Sequence, residues 1–134
     1  MHKKILVAAA VFAALSVALG AFAAHALKDV LDASQHKTFE TAVRYQMYHA
    51  LAMIFCAQCL KQEPNKTLYY AALFFAVGIV LFSGSLYCLI FLNIINIEGL
   101  KFIGAITPLG GLFFIAGWVL IIKSAFNNQF NTSK

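Results

Sequence analysis

Four long apolar stretches, Ile5–Ala24, Val43–Leu60, Leu68–Leu92 and Leu100–Ile122, occupy most of this chain. A helix needs about 20 apolar residues to cross the hydrocarbon of a bilayer, and each stretch is near or above that length. The runs are continuous, whereas a membrane strand alternates over about 10 residues, so helices and not a barrel are predicted. With 62% of its residues hydrophobic and 11% charged, a soluble domain of 134 residues would have nowhere to hide its apolar surface. The expected fold is all-α: one integral-membrane domain over residues 1–126, built as an antiparallel four-helix bundle, with a polar tail from Asn127 to Lys134.

The few charges are sorted. With four crossings, the N-terminus, the connection Lys61–Thr67 and the C-terminal tail share one side. That side carries six lysines (Lys3, Lys4, Lys61, Lys66, Lys123 and Lys134) against one acid, Glu63. The opposite side balances Lys28, Lys37, Arg44 and Lys101 with Asp29, Asp32, Glu40 and Glu98. Excess lysine marks the cytoplasmic side, so both termini are expected in the cytoplasm of a bacterial inner membrane. The charge excess therefore reports topology. No basic patch is interleaved with aromatics, and no nucleic-acid partner is expected.

The start of the chain has a second reading. Lys3 and Lys4, an apolar run and Ala21-Phe22-Ala23 resemble a secretion signal with its cleavage site. The run exceeds a signal's usual apolar length, and its small residues repeat at four-residue spacing (Ser16, Gly20, Ala24; Ala10, Ala14, Ala18). That spacing brings helices together in lipid, so a retained helix is expected.

Between the first two stretches lies the longest connection, His25–Ala42. Leu27, Val30 and Leu31 stand there among charges, an amphipathic pattern suited to the membrane surface. Ser34 is a candidate N-cap for the second helix. Pro64 ends that helix, and Asn93–Gly99 is read as a tight turn. Pro108 lacks an N–H, so a kink and a free Gly104 carbonyl are expected in the fourth helix.

Polar residues gather at one depth. His25, Arg44, Gln46, Tyr48, His49, Ser83, Ser85 and Thr107 all fall in the half of the bundle that holds the long connection, and all four stretches contribute. Polar groups in hydrocarbon face one another or a watery cavity, so these eight residues are the candidate lining of a pocket for a small molecule or lipid. Arg44, with Glu40 one turn earlier and the Gly104 carbonyl as expected partners, is predicted to be the most sensitive polar position. The alternative is structural: the same groups tie helices together. A second set, His49, Met53 and Cys56, lies on one helical face beside Cys59. These are soft ligands suited to copper or haem iron. Cys and Met are also ordinary apolar filler, and the Cys56-x-x-Cys59 pair lies near a helix C-terminus, where a thiolate gains nothing. No metal site or cofactor is therefore expected.

Four stretches, Gly20–Lys28, Thr38–Leu51, Phe82–Tyr87 and Ile106–Gly111, together resemble the membrane-protein family called domain of unknown function 423, whose eukaryotic relatives are the transmembrane protein 256 type. The resemblance touches all four apolar stretches in order. It implies four helices in a bacterial inner membrane and brings no established activity. Ala23 and Ala26 stand where the family pattern has glycines.

Four function classes remain. The first is a non-enzymatic bundle whose pocket binds a small molecule or lipid. The second is an accessory subunit packed on a membrane partner or on a further copy of itself. The third is a redox module with haem between His25 and His49. The fourth, a proton-coupled cation exporter, needs a carboxylate inside a span, and no Asp or Glu lies in one. Hydrolysis is unsupported, because Ser83 and Ser85 have no acid or base beside them in the sequence pattern.

Overall fold

A computed structural model describes residues 2–97 and 102–131, with side chains described through residue 126. The described residues form four helices: α1 (His2–His25), α2 (Ala33–Gln62), α3 (Lys66–Ile94) and α4 (Phe102–Asn131). No strand occurs among the described residues. α1, α3 and the Phe102–Phe126 part of α4 are long and apolar enough to cross a membrane. α2 matches them in length at 30 residues and is the more polar helix, because its first turns carry exposed Lys37, Glu40 and Arg44 in addition to the buried Gln46 and His49. Leu100, Lys101 and the end of the tail lie outside the described residues.

Contacts run in opposite senses along each neighbouring pair. Ser16 meets Val43 while Phe12 meets Gln46. Ser83 meets Ala42 while Phe75 meets His49. Asn65 meets Ser124 while Ser85 meets Thr107. The bundle is antiparallel, as the apolar pattern predicts. One end holds the α1–α2 and α3–α4 connections (the loop end); the other holds both termini and the α2–α3 connection (the terminal end).

Helix ends follow local chemistry. Asp32, not Ser34, caps α2: its carboxylate accepts the Gln35 N–H at 2.9 Å, and the Gln35 side chain accepts the Asp32 N–H at 3.0 Å. This reciprocal box satisfies two orphan donors at once, which a lone serine does not. α2 thus begins ten residues before its apolar stretch, and the connection shrinks to residues 26–32. That connection does not lie flat. Leu27 and Leu31 are buried with Ala23, Phe39 and Ile90, so the segment plugs the loop end of the bundle. Asn65 caps α3 by accepting the N–H groups of Thr67 and Leu68. α3 closes on Asn96 in the left-handed region (φ 54°), with Ile97 N–H reaching Leu92 O and Asn96 N–H reaching Asn93 O. Asparagine tolerates that conformation better than most residues, and the paired bonds satisfy the last carbonyls of the helix.

Two features interrupt regularity. Residues Ile79–Ser83 of α3 wind as a π-helix, flanked by Gly78 and Gly84. Pro108 sits inside α4 without ending it. The core at the terminal end is apolar, with Met53, Cys56, Phe75, Ile79 and Phe114 all buried.

Candidate functional site

The predicted polar residues divide into two groups. Gln46, His49, Ser83 and Ser85 are buried, and Thr107 is half-buried; His25, Arg44 and Tyr48 are on the outer surface. The helical turn explains the split. At about 100° per residue, Gln46 and His49 look inward while Arg44 and Tyr48 look outward.

Every inward group is committed to another helix or to its own backbone. The Gln46 amide donates to the Phe12 carbonyl at 2.8 Å and accepts from the Tyr87 hydroxyl at 3.0 Å, joining α1, α2 and α3. Ser83 donates to the Ala42 carbonyl at 2.8 Å. Ser85 donates to the Phe82 carbonyl at 2.9 Å, which leaves its oxygen to accept from Thr107 at 2.6 Å across the α3–α4 seam. Ser16, expected only as a small packing residue, donates to the Val43 carbonyl at 2.7 Å. No described buried side-chain nitrogen or oxygen lacks a partner. This layer is glue of the kind that polar groups provide between helices in lipid.

His49 sits in an aromatic box. Its ring lies parallel to Phe114 at 3.5 Å, with Phe75, Tyr45 and Trp118 around it. Nδ1 lies 2.7 Å from the Tyr45 carbonyl, so it carries the proton; Nε2 then accepts from the Trp118 indole at 3.3 Å. Both ring nitrogens are therefore committed, and His25 is exposed at the end of α1 rather than opposite His49. The two histidines do not form a haem clamp. Met53 and Cys56 do share the buried face of α2 with His49. Among the described residues, no three His, Cys, Asp or Glu side chains are grouped to hold a metal ion.

Arg44 does not turn inward to Gly104. It lies 3.9 Å from Glu40, and both side chains are more than half exposed. Arg44 and Tyr48 instead edge a lateral groove of about 470 Å³ between α1 and α2 at the loop end. Ser16, Gly20 and Ala24 form part of its floor, because small residues leave room there. His36, Glu40, Arg44 and Tyr48 line the α2 wall at four-residue spacing. The sequence reading missed His36 in this ladder, although the repeated four-residue step was visible. It also missed Trp118, whose signal was a lone tryptophan deep in a span and not at the headgroup level.

Comparisons with known proteins find relatives that are named as membrane proteins. A family model described as "Protein of unknown function (DUF423)" matches residues 19–111. The UPF0382 inner membrane protein YgdD of Escherichia coli (strain K12) is 39% identical over 119 residues, covering 86% of each chain. The UPF0382 membrane protein YwdK of Bacillus subtilis (strain 168) is 39% identical over 126 residues, covering 92% of this chain and 96% of its own. A UPF0382 membrane protein of Haemophilus influenzae is 36% identical over 129 residues, with 96% and 98% covered. No solved structure matches the chain.

Proposed function

Since the chain belongs to the DUF423 family of membrane proteins, we propose that it is a non-enzymatic inner-membrane bundle whose α1–α2 groove binds an amphiphile with an anionic headgroup. The groove carries the proposal. Its floor is small and apolar, while its α2 wall bears Arg44, Glu40, His36 and Tyr48. An acyl chain matches the floor. A phosphate matches Arg44, whose guanidinium makes one long ion pair and keeps most of its five donors available. Of the eight candidate residues, Arg44 and Tyr48 take this role; Gln46, His49, Ser83, Ser85 and Thr107 hold the helices that frame it.

Orientation belongs to the same proposal. The lysine excess at the terminal end supports cytoplasmic termini, and the groove then opens toward the outer leaflet. Impermeant-maleimide labelling of Ser34→Cys from outside intact cells is expected, and labelling only after lysis reverses the orientation.

The test is lipid retention. Arg44→Gln is expected to cut phosphatidylglycerol binding in native mass spectrometry about tenfold, in line with loss of a charge-assisted hydrogen bond. Its melting temperature in detergent should stay near wild type, because the ion pair is exposed. Unchanged lipid binding would sink the groove as a ligand site.

One observation favours an accessory-subunit reading beside it. Ala10, Ala14 and Ala18 are exposed along one face of α1 in the single chain. Small residues at that spacing admit a close helix from another protein. Cysteine crosslinking from Ala14→Cys to a co-purifying chain tests it, and no crosslink at any expression level would remove it.

A further inference from the structure

At the opposite end of the bundle lies a second cleft, of about 390 Å³, that the proposed role does not use. It opens where α2 ends, α3 begins and the last turns of α4 pass by. Its apolar wall is Phe55, Leu68 and Ile121. Its polar side is Cys59, Gln62, Glu63, Asn65 and Ser124. Glu63 is the one charged residue in that lining.

The two helix ends that meet here are not equivalent. The N-terminus of α3 would ordinarily attract an anion, but Asn65 already takes the Thr67 and Leu68 N–H groups at 2.9 and 3.2 Å. The C-terminus of α2 keeps its negative end. Glu63 N–H returns to the Cys59 carbonyl at 3.1 Å, and the chain then leaves the helix. Residue 64 is proline and supplies no N–H to the Leu60 carbonyl one turn back. A 30-residue helix thus ends in carbonyls beside a carboxylate. Ser124, 3% exposed, accepts from Asn65 at 2.8 Å, and its own proton has no acceptor among the described residues. The lining itself therefore offers one carboxylate, helix-end acceptors, one buried donor and an apolar wall.

We propose that this cleft binds an ammonium group carried on an apolar chain, and that its source in the membrane is the headgroup of an aminophospholipid. The ammonium lies against Glu63, with the Gln62 amide oxygen as a further acceptor. The acyl chain follows Phe55 and Ile121 into the bilayer. Lys61, Lys66 and Lys123 are each the chain neighbour of a lining residue and are exposed. They supply partners for the phosphate that an aminophospholipid carries beside its ammonium. A free alkylamine has the ammonium and the chain without the phosphate.

Native mass spectrometry of the full-length protein in dodecylmaltoside tests this with three probes: phosphatidylethanolamine, dodecylammonium and phosphatidylglycerol. Phosphatidylethanolamine and dodecylammonium are expected to bind, and Glu63→Gln to weaken both about tenfold, in line with loss of a charge-assisted contact. The Glu63 side chain is exposed and makes none of the helix-capping bonds, so this variant keeps the fold. Ala125→Met, which narrows the cleft without changing charge, is expected to weaken both as well. Arg44→Gln, at the far end, should leave both unchanged while affecting phosphatidylglycerol. Dodecylammonium binding without phosphatidylethanolamine would keep the ammonium cleft and assign it to a free amine. Adducts insensitive to both Glu63→Gln and Ala125→Met, or lost with Arg44→Gln, would overturn the site without touching the groove proposed above.

Discussion

The α1–α2 seam and the α3–α4 seam face the same difficulty, since lipid tails give apolar helices little reason to leave them for one another. They meet it with different materials. α1 and α2 are joined through side-chain hydrogen bonds to backbone, Ser16 to Val43 and Gln46 to Phe12, over a floor of Gly and Ala. α3 and α4 are joined largely by aromatic rings set against glycines. A Cβ added to Gly78 would fall 2.4 Å from the Phe114 ring, one added to Gly117 2.6 Å from the Phe75 ring, and one added to Gly110 2.4 Å from the Phe82 backbone nitrogen. The first seam leaves a groove along its loop-end half, whereas the second closes around Gly78, Gly110 and Gly117 and opens only at its terminal end, in the cleft beside Ser124. Hydrogen bonds fix helices at a few points and tolerate gaps between them, whereas ring-on-glycine packing needs contact along its length. The groove proposed to take a lipid lies where the bundle is held by points.

Substitutions rank the two seams. Gly110→Ala should have the largest effect, because its neighbour is backbone that no rotamer change can move. Overpacking of this kind costs about 1–3 kcal/mol, and this site belongs at the upper end. Thermal unfolding in detergent should show the loss clearly; a wild-type melting point would mean that the seam yields. Gln46→Leu should come next. It strips the Tyr87 hydroxyl of its acceptor inside the bundle, at about 1–2 kcal/mol, and the melting curve should place it below Gly110→Ala. Ser16→Ala should cost least, about 0.6 kcal/mol, since Val43 keeps its helical hydrogen bond when the extra donor goes. If Ser16→Ala proved as damaging as Gly110→Ala, the distinction between point fastening and continuous packing would fail.

The sequence was most legible where one physical signal stood alone. Apolar length located the helices, and the i, i+4, i+7 spacing placed His49, Met53 and Cys56 on one face of α2, all three of which are buried. It was less legible where two signals competed. Ser34 and Asp32 are both good caps, and the partner at Gln35 decides for Asp32. Arg44 was expected to find partners within the bundle, yet one residue of helical rotation carries it to the surface. The depth of the polar residues was visible in the pattern, but their pairing was not, because a hydroxyl 2.8 Å from a neighbouring helix carbonyl looks in sequence like one facing a cavity. Nothing in the letters Ile79-Val80-Leu81-Phe82-Ser83 announces a π turn.

That turn has a consequence for how the chain tolerates editing. A π turn accommodates one surplus residue in an otherwise α-helical rod. Wound as an ordinary helix, the same letters would carry everything beyond Ser83 about 100° out of phase. Tyr87 would then leave Gln46, and Ser85 would leave Thr107. The segment Ile79–Ser83 is thus the place in α3 where the gene can lose one codon and keep both halves of the helix aimed as they are now. Elsewhere along α3 the same loss would swing one half away from its partners.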